Sequence, residues 1–305
     1  MQKKIILLAG ATASGKSNIA IKLAKKIKGE IINSDSMQVY KELSILSSRP
    51  SKSDLKKIKH HLYGFHSVKS HFSTGLWLKL VKKKINTIIK SNNIPILVGG
   101  TGLYFNAITK GISKIPIIKE KSRQIIRDLH KEVGQKEFYK KLIKLDPYAK
   151  HKVSPNDTHR SLRAFEVITQ TGKSLYEWSS NTKSEFIDYD LKKIYIDVPR
   201  DILLKNIKKR TNEMFRQNCI QEVKNFLSLK LSYSLSVNKL IGISEVRRYL
   251  QGNSSKEETI ELINIKTRQY AKRQKTWSRG HMGNWNKLYS EDSSILLKKI
   301  LKVIS

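Results

Sequence analysis

The amino-acid sequence predicts an α/β fold in which helices flank a parallel β-sheet and an all-helical subdomain is inserted. Short apolar runs of strand length alternate with helix-period segments, and a glycine-rich loop joins the first run to the first helix. Between residues 113 and 190, charged helix-period segments dominate. The predicted domains are therefore a first part of the core at 1–112, a helical insertion at 113–190, and a return to the core with basic C-terminal helices at 191–305.

The glycine-rich loop occupies residues 10–17, reads Gly-Ala-Thr-Ala-Ser-Gly-Lys-Ser and follows an apolar run at 5–9. It matches the pattern Gly-x-x-x-x-Gly-Lys-[Ser/Thr], whose backbone N–H groups surround a di- or triphosphate at the positive end of the next helix. Lys16 is predicted to reach phosphate oxygens, and Ser17 to hold Mg²⁺, the expected cofactor, through its hydroxyl. The predicted diphosphate ligands are Gly10, Thr12, Ala13, Ser14, Gly15, Lys16 and Ser17.

The loop predicts a phosphate site without fixing the reaction. The alternative is an ordinary glycine-rich turn between strand and helix that binds no ligand. Such a turn rarely satisfies four constrained positions, so this alternative is disfavoured. Kinases, hydrolases and transferases that release diphosphate can all use such a loop. The rest of the chain must decide among them.

Composition sets further limits. The 305 residues carry 60 basic and 25 acidic side chains, a formal net charge of +35. This imbalance favours a polyanionic partner such as a nucleic acid over compositional drift, because drift alone should not halve the number of acids. One cysteine, Cys219, rules out an internal disulfide and fits a reducing cytosol. No apolar run approaches the ~18 residues of a membrane span, and the N-terminus starts directly on a strand, so we expect a soluble, cytoplasmic protein.

The second predicted strand ends at Asn33 and leaves Asp35 just beyond the edge where ligands bind in open α/β sheets. A carboxylate there can serve as a metal partner or general base, or can merely cap a turn, and spacing alone favours neither. Residues 41–73 are predicted to be irregular. Within them the pair His60-His61 favours hydrogen-bonding or surface roles over metal binding, since no Cys or carboxylate stands at ligand spacing.

The next predicted elements are a helix at 74–91 and a buried strand at 94–98. Glycines at 99, 100 and 102 follow that strand, where a nucleotide hydrolase typically places a Mg²⁺-binding Asp. We expect the glycines to let backbone or substrate approach closely. This segment therefore departs from the hydrolase pattern.

The insertion is predicted to contain helices at 119–133, 135–145 and 157–172. The third opens at a capping Asn156-Asp157 pair and presents Arg160 and Arg163 one turn apart. Such a pair suits RNA phosphates and equally suits the lid of a small-molecule kinase. Strand character returns at 193–198, followed by a basic helix at 201–216.

The last long helix, predicted at 256–279, has an apolar and aromatic inward stripe. The stripe consists of Ile260, Ile263, Thr267, Tyr270 and Trp277. Six positive charges fall within fourteen residues of this helix with no acid among them: Lys266, Arg268, Lys272, Arg273, Lys275 and Arg279. A solvated helix face usually mixes signs, so a surface for the phosphate backbone of a nucleic acid is favoured.

Together these segments resemble one family, the tRNA dimethylallyltransferases (tRNA isopentenyltransferases), over essentially the whole chain. The resemblance rests on six blocks in register, at 12–17, 34–40, 60–62, 98–105, 156–163 and 267–277. It implies transfer of a dimethylallyl group from dimethylallyl diphosphate to the exocyclic N6 amine of the adenosine 3′ of the anticodon in tRNA, releasing diphosphate. The loop would then hold an isoprenoid diphosphate rather than ATP.

The resemblance also implies residue roles. Asp35 is the general base or acceptor for the attacking amine, and Thr12 and Arg210 complete the catalytic set by stabilising the departing diphosphate. The implied contacts to the tRNA anticodon stem-loop are Asp35, Ser36, Met37, Gln38, Thr101, Arg123, His159, Arg160, Ser161, Leu162, Arg163, Arg268, Lys272 and Arg273. A monomer is expected.

The chain departs from the family pattern at several positions, none of them a proposed catalytic side chain. Ala11 stands where Pro is usual, and residues 46–50 replace a Gly-Thr-Ala-Lys-Pro pattern. Asn212, Asn218-Cys219 and Ile243 also differ from the common residues. Two rival interpretations remain at this point: a small-molecule or nucleoside kinase, and a non-catalytic RNA-binding protein with a phosphate loop.

Overall fold

The computed structural model describes residues 3–232 and 235–305. Its central element is a six-stranded sheet with the order β3-β2-β4-β1-β5-β6, in which every pairing is parallel. The strands are β1 Lys4–Gly10, β2 Gly29–Asn33, β3 His60–His61, β4 Ile94–Gly99, β5 Asp190–Ile196 and β6 Asn286–Leu288. The sheet confirms the predicted α/β fold.

Helices make up most of the remaining chain. In chain order they are α1 Lys16–Ile27, α2 Lys52–Lys57, α3 Thr74–Lys90, α4 Gly102–Thr109, α5 Glu120–Leu145, α6 Thr158–Thr171, α7 Leu175–Ser180, α8 Arg200–Arg216, α9 Cys219–Ser228, α10 Ile243–Leu250, α11 Lys256–His281 and α12 Ser293–Ile304. Among the described residues, no helix is long and apolar enough to cross a membrane.

The core is organised around β1, which lies between β4 and β5. Ile6 is in register with Ile96 of β4, and Leu8 with Ile194 of β5. Residues 5–8 have no exposed surface. A parallel sheet covered on both faces needs such continuous apolar strands, which explains why β1 and β4 could be predicted from short apolar runs. The carboxyl ends of β1, β2 and β4 then lie side by side at one edge of the sheet.

The chain divides into two compact units, Met1–Ile108 with Asp188–Ser305, and Thr109–Ile187. The second unit begins and ends a few residues before the limits predicted for the insertion, 113–190. Its α5 is interrupted at Gly134, whose φ of 73° and ψ of 166° are not helical. The two helices predicted on either side of residue 134 are therefore separate segments with a kink between them. Leu142, Ala149, Val153 and Ala164 form a small core of this unit.

The prediction that residues 41–73 are irregular is wrong in part. Ser51 caps the short helix α2 by accepting a hydrogen bond from the Asp54 backbone. His60 and His61 form the edge strand β3, paired with β2. A two-residue strand and a six-residue helix are too short to give a periodic signal. The edge strand β6 was missed for the same reason, and β5 begins at Asp190, three residues before its predicted start.

Candidate active site

The phosphate loop runs from the end of β1 to the start of α1. Its backbone enters the left-handed region at Ala13 (φ 61°) and at Gly15 (φ 77°), which turns the chain sharply before the helix. The first N–H groups of α1 lack helical partners and carry the positive end of the helix dipole. The buried Ser14 Oγ has no hydrogen-bond partner among the described residues. These features suit an anion held in the loop.

Two amide side chains from distant helices brace this loop. Gln274 of α11 accepts a hydrogen bond from Thr12 N (2.8 Å) and donates one to Gly100 O (2.9 Å). Asn206 of α8 donates to Ala13 O (3.1 Å). The loop is therefore fixed in position from both α8 and α11.

Two cations converge on the loop. Burial lowers the pKa of Lys16 to about 8, with the Asp35 charge opposing that shift and the Arg210 charge adding to it. Arg210 donates a hydrogen bond to Thr12 Oγ1 (2.5 Å), while its Nε has no partner within the described chain. Burial lowers the pKa of Arg210 as well, and Asp35 again opposes the shift. Buried positive charge of this kind is stabilised when an anion binds.

Asp35 lies just beyond β2, where the sequence predicts it. Asn33 Oδ1 accepts from Asp35 N (2.8 Å), and Asn33 Nδ2 donates to Asp35 O (2.9 Å). Asp35 Oδ1 accepts from Met37 N (2.9 Å), so the side chain closes a turn. Its charge also acts on Lys16 and Arg210. Asp35 therefore stabilises a turn, as one of the two interpretations predicted, and its charge also reaches the cations of the phosphate loop region. A role as general base remains a prediction.

The charge of Asp35 also affects three tyrosines. Burial raises the pKa of Tyr63, Tyr104 and Tyr270, and the Asp35 carboxylate raises each of them further. Their phenols remain neutral at physiological pH. The charge of Asp35 therefore acts on three neutral tyrosines and on two cations, and of these groups Tyr270 and Arg210 line the same cavity as Asp35.

The glycine turn after β4 allows the close approach expected from the sequence. A Cβ on Gly99 would lie 2.0 Å from Ser34 O, and one on Gly102 would lie 2.3 Å from the Trp277 ring. Thr101 then ties the turn to the segment after β2, because its Oγ1 accepts from Ser36 N at 2.9 Å. The ends of β2 and β4 are thus held against each other.

Two cavities open at this edge of the sheet. The Asp35 cavity, about 350 Å³, is lined by Thr12, Asp35, Arg210, Leu46, Ser47 and Tyr270, among others. The Trp277 cavity, about 300 Å³, is lined by Gly10, Thr101, Phe105, Tyr195, Trp277 and Met282, among others. Ser36, Tyr270 and Arg273 line both cavities. The Asp35 cavity thus combines charged side chains with an apolar wall, and the adjoining Trp277 cavity includes four aromatic side chains.

The chain matches the family model described as IPP transferase over residues 38–281. It is 54% identical over 301 residues to a tRNA dimethylallyltransferase of Pelagibacter ubique, covering 99% of this chain and 96% of the relative. It is 41% identical to the Rickettsia massiliae tRNA dimethylallyltransferase, covering 99% and 85%. The chain belongs to the tRNA dimethylallyltransferase family.

Solved structures of the family share the fold. The tRNA isopentenylpyrophosphate transferase of Bacillus halodurans is 30% identical, with a TM-score of 0.69 and coverage of 99% of this chain and 97% of that one. A eukaryotic dimethylallyltransferase acting on tRNA is 29% identical, with a TM-score of 0.76 and coverage of 90% and 70%. These matches confirm the resemblance drawn from the six sequence blocks.

Ser17 is the loop residue that would bind Mg²⁺, the ion implied by the family resemblance. Ser17 is exposed in the first turn of α1, and its hydroxyl oxygen is a hard donor that suits Mg²⁺. Across residues 3–232 and 235–305, no group of three or more His, Cys, Asp or Glu side chains could hold a metal ion. Ser17 would supply one oxygen ligand to a Mg²⁺, which would neutralise charge on a bound diphosphate.

The residues expected to contact tRNA fall into three places. Asp35, Ser36 and Met37 line the Asp35 cavity. Thr101 lines the Trp277 cavity. Gln38 is already engaged, because its Nε2 donates to Ser47 O (2.9 Å) and Ser48 O (3.0 Å).

The second unit contains six more of these residues. They are Arg123, His159, Arg160, Ser161, Leu162 and Arg163. Arg160 is largely exposed and lies 3.4 Å from Asp157, and Arg163 lies 3.3 Å from Glu166. Ser161 has no exposed surface, and its Oγ accepts from Gln135 at 3.2 Å. A role for Ser161 in RNA binding could therefore act only through the position of α6.

The six cations of α11 do not form the acid-free surface expected from the sequence. Lys266 pairs with Glu245, Arg268 with Glu261 (3.1 Å) and Lys275 with Asp197 (2.9 Å). Glu245 and Asp197 come from other elements, and Glu261 lies seven residues before Arg268, outside the window considered. The exposed members include Lys272, Arg273 and Arg279. The phosphate-contact interpretation thus rests mainly on these three side chains.

The cations of α11 also face in two directions. Arg273 lines both cavities beside Asp35, and its guanidinium lies 5.8 Å from the centre of the Tyr270 ring. A separate cleft of about 490 Å³ lies between α8 and α11. Its basic lining residues are Arg200, Arg268, Lys272, Lys275 and Arg279.

Sequence reasoning did not assign roles to Gln274 or Asn206, although both hold the phosphate loop. Gln274 lies in a block that carried the family resemblance. That block indicated the family, but it did not indicate what Gln274 does. Asn206 lies in a basic helix with nothing to distinguish it. Gln274 lies 262 residues from its partner Thr12, and Asn206 lies 193 residues from its partner Ala13. No local sequence pattern predicts pairs so far apart.

Proposed function

We propose that this chain transfers a dimethylallyl group from dimethylallyl diphosphate to the N6 amine of the adenosine 3′ of the anticodon in tRNA and releases diphosphate. The observation that carries the proposal is that Arg210 and Asp35 line one cavity, and that both charges act on Lys16 of the adjoining phosphate loop, in a chain of this family. Two cations suit the leaving group and one carboxylate suits the attacking amine. The Trp277 cavity beside them offers aromatic surface for an apolar C5 group.

The donor is held through its diphosphate. Backbone N–H groups at the start of α1, together with Lys16, Thr12 and Arg210, surround the phosphates. Negative charge grows on the diphosphate as its bond to C1 of the prenyl group breaks, and these donors stabilise that charge. Mg²⁺ at Ser17 would neutralise further charge on the same oxygens. The loop bracing by Gln274 and Asn206 keeps these groups in place before the reaction begins.

Asp35 acts on the acceptor. The lone pair of an adenine N6 amine is delocalised into the ring, so the amine is a weak nucleophile. An aligned carboxylate orients the N–H group and takes its proton as the N6–C1 bond forms. The electron pair of the broken C1–O bond leaves with the diphosphate, so each bond formed is matched by one broken. Asp35 is already oriented by Asn33 and Met37, which reduces the reorganisation needed in the reaction.

Binding of the tRNA must compensate for turning the target base out of its stack, which costs a few kcal/mol. The net charge of +35 supplies a general attraction for the RNA backbone. Lys272 and Arg279 on α11, and Arg160 on α6, are exposed cations placed to make such contacts. We further expect a cytoplasmic enzyme that acts as a monomer.

The test is incubation of the purified protein with Mg²⁺, dimethylallyl diphosphate and an anticodon stem-loop with adenosine 3′ of the anticodon. Mass spectrometry should show the addition of one C5 unit to that adenosine and not to a stem-loop with guanosine there. A parallel reaction with ATP tests the kinase alternative. Phosphoryl transfer from ATP without prenyl transfer would overturn the proposal.

A further inference from the structure

Glu222 of α9 lies outside the chemistry proposed above, yet it binds one loop through four hydrogen bonds. Its Oε1 accepts from Ser44 N (2.6 Å), Ser44 Oγ (2.9 Å) and Ile45 N (2.8 Å). Its Oε2 accepts from Leu46 N (2.9 Å). Hydrogen bonds to an ionised acceptor are stronger than neutral ones. Three consecutive backbone amides of residues 43–48, here called the rim loop, are therefore fixed to α9.

The opposite side of the rim loop is held by donors. Gln38 Nε2 donates to the carbonyl oxygens of Ser47 and Ser48. Ser47 Oγ donates to Leu43 O at 2.5 Å within the loop. The loop has no regular secondary structure, so these side chains replace the hydrogen bonds that a helix or strand would supply.

The rim loop forms part of the wall of the Asp35 cavity, through Leu46 and Ser47. Leu46 is almost fully buried, and a Cβ on Gly242 would lie 2.6 Å from its Cδ2. Gly242 has a φ of 109°, which favours glycine. Leu46 therefore packs directly against the backbone at Gly242, where any side chain would clash with it. A shift of the loop would move the Leu46 side chain relative to Asp35.

We propose that Glu222 is a positioning residue for the acceptor base. It holds the rim loop so that Leu46 and Ser47 form a fixed wall, against which the flipped adenine is oriented with its amine toward Asp35. This inference rests on the proposed function. Without the carboxylate, the N–H groups of Ser44, Ile45 and Leu46 would lose their acceptor. Ser44 is exposed, but Ile45 is half-buried and Leu46 is buried, so the loop would move to find new partners for these two amides.

The donor site should not share this dependence. The phosphate loop is braced by Gln274 and Asn206, whose hydrogen bonds go to Thr12, Gly100 and Ala13. Loss of Glu222 should therefore impair use of the RNA more than use of dimethylallyl diphosphate. A residue that only stabilised the fold would affect both substrates alike.

The experiment compares Glu222→Gln with wild type and with Glu213→Gln, a control for loss of an exposed carboxylate on the neighbouring helix α8. Glutamine keeps the side-chain length, but it offers one acceptor oxygen and turns an NH₂ group toward N–H donors. We expect kcat/KM for the stem-loop RNA to fall about 10- to 100-fold, the range for displaced reacting groups. The KM for dimethylallyl diphosphate should stay within about twofold of wild type. Hydrogen exchange at residues 44–46 should become faster.

Faster exchange with an unchanged kcat/KM for RNA would overturn the proposal, as would an equal loss for both substrates. If Glu222→Gln does not fold, Ser44→Ala decides instead, because it removes one donor and leaves the three amide bonds. It should lower kcat/KM for RNA in the same direction by a smaller factor, and no change would overturn the proposal. Absence of prenyl transfer by the wild type would refute the proposed function itself, which separates that failure from this one.

Discussion

The phosphate loop (residues 10–17) and the rim loop (residues 43–48) both border the Asp35 cavity, and they are built by different means. The phosphate loop takes its shape from left-handed residues at Ala13 and Gly15 and from the helix that follows directly. The rim loop takes its shape from Glu222 and Gln38, which bind its amides and carbonyls. The backbone conformation of the phosphate loop is encoded within eight residues, and the distant Gln274 and Asn206 add support to it. The rim loop requires a contact across 178 residues.

This difference indicates a division of labour. A diphosphate is recognised by charge and by backbone N–H groups, which a short glycine-rich loop can supply wherever it occurs. An adenine must be oriented by the shape of a wall, and a wall needs support from several elements. The predictions below test this division, in order of decreasing expected effect.

Asp35→Asn should give the largest change. Asparagine retains an oxygen that can accept from Met37 N, so the turn should persist while the proton acceptor is lost. We expect kcat for prenyl transfer to fall about 10²- to 10⁴-fold, the range for removal of a general base. Binding of the stem-loop RNA, measured by fluorescence anisotropy, should change by less than about twofold, since asparagine has the same size and Asp35 is one of many residues assigned to the RNA. The exposed carboxylate variant Glu257→Gln is the control, and a kcat near that of wild type would refute Asp35 as the base.

Arg210→Met tests the cationic side of the cavity. The variant removes the hydrogen bond to Thr12 Oγ1 and a buried charge, while keeping a long apolar side chain. A loss of about 10²- to 10³-fold in kcat is expected, as for removal of one group that stabilises developing negative charge. Arg216→Met, on the exposed side of the same helix, is the matched control. Equal rates for the two variants in a single-turnover assay would contradict the assignment.

Gly99→Ala tests how tightly β2 and β4 are held together beneath both loops. A Cβ there would lie 2.0 Å from Ser34 O, which is backbone and cannot rotate away. The free energy of unfolding should fall by about 1–3 kcal/mol or more, the usual cost of inserting an atom into a packed site. Gly280→Ala in α11 meets nothing within 4 Å and should be neutral or stabilising by about 0.5–1 kcal/mol. Urea denaturation of both variants would show the difference, and equal midpoints would contradict it.

The pH dependence of kcat/KM for dimethylallyl diphosphate tests the role of Lys16 in the phosphate loop. Lys16 has a pKa lowered to about 8 by burial, so it is charged below that pH and neutral above it. Since the charged form binds diphosphate, kcat/KM for dimethylallyl diphosphate should fall as pH rises through about 8, by at most about tenfold per pH unit. In Lys16→Arg the side chain stays protonated, and the fall should move to higher pH. A profile of kcat/KM that is flat from pH 7 to 9.5 in wild type would be inconsistent with this role.

Much of the candidate site could be predicted because its signals are local. The phosphate loop, Asp35 at the end of β2 and the glycines after β4 each follow a short apolar run. Parallel strands place their carboxyl ends at one edge of the sheet, so these segments had to meet. The kink at Gly134 was also predictable, because glycine separates two helix-period segments.

Other features could not be predicted because they depend on pairs far apart in sequence. Residues 266–279 contain no acidic residue, which predicted a surface of unpaired cations. In the structure Glu245 pairs with Lys266, and Asp197 pairs with Lys275. The family resemblance implied that Gln38 contacts the tRNA. In the structure its side-chain amide donates hydrogen bonds to two carbonyl oxygens of the rim loop. In both cases a side chain that looked available in the sequence is engaged by a partner that folding brings to it.

The sequence by itself determined the fold class, the phosphate loop and the family, because these follow from periodicity, from φ-permissive glycines and from motifs in register. Only the tertiary structure decided how Arg210 reaches Thr12, how Gln274 joins two loops and how Glu222 holds the rim loop. The physical reason is the range of the interactions. Backbone conformation and helix dipoles are set by neighbouring residues, whereas the position of a buried charge or a cavity wall is set by whichever side chains the packed core brings within hydrogen-bonding distance.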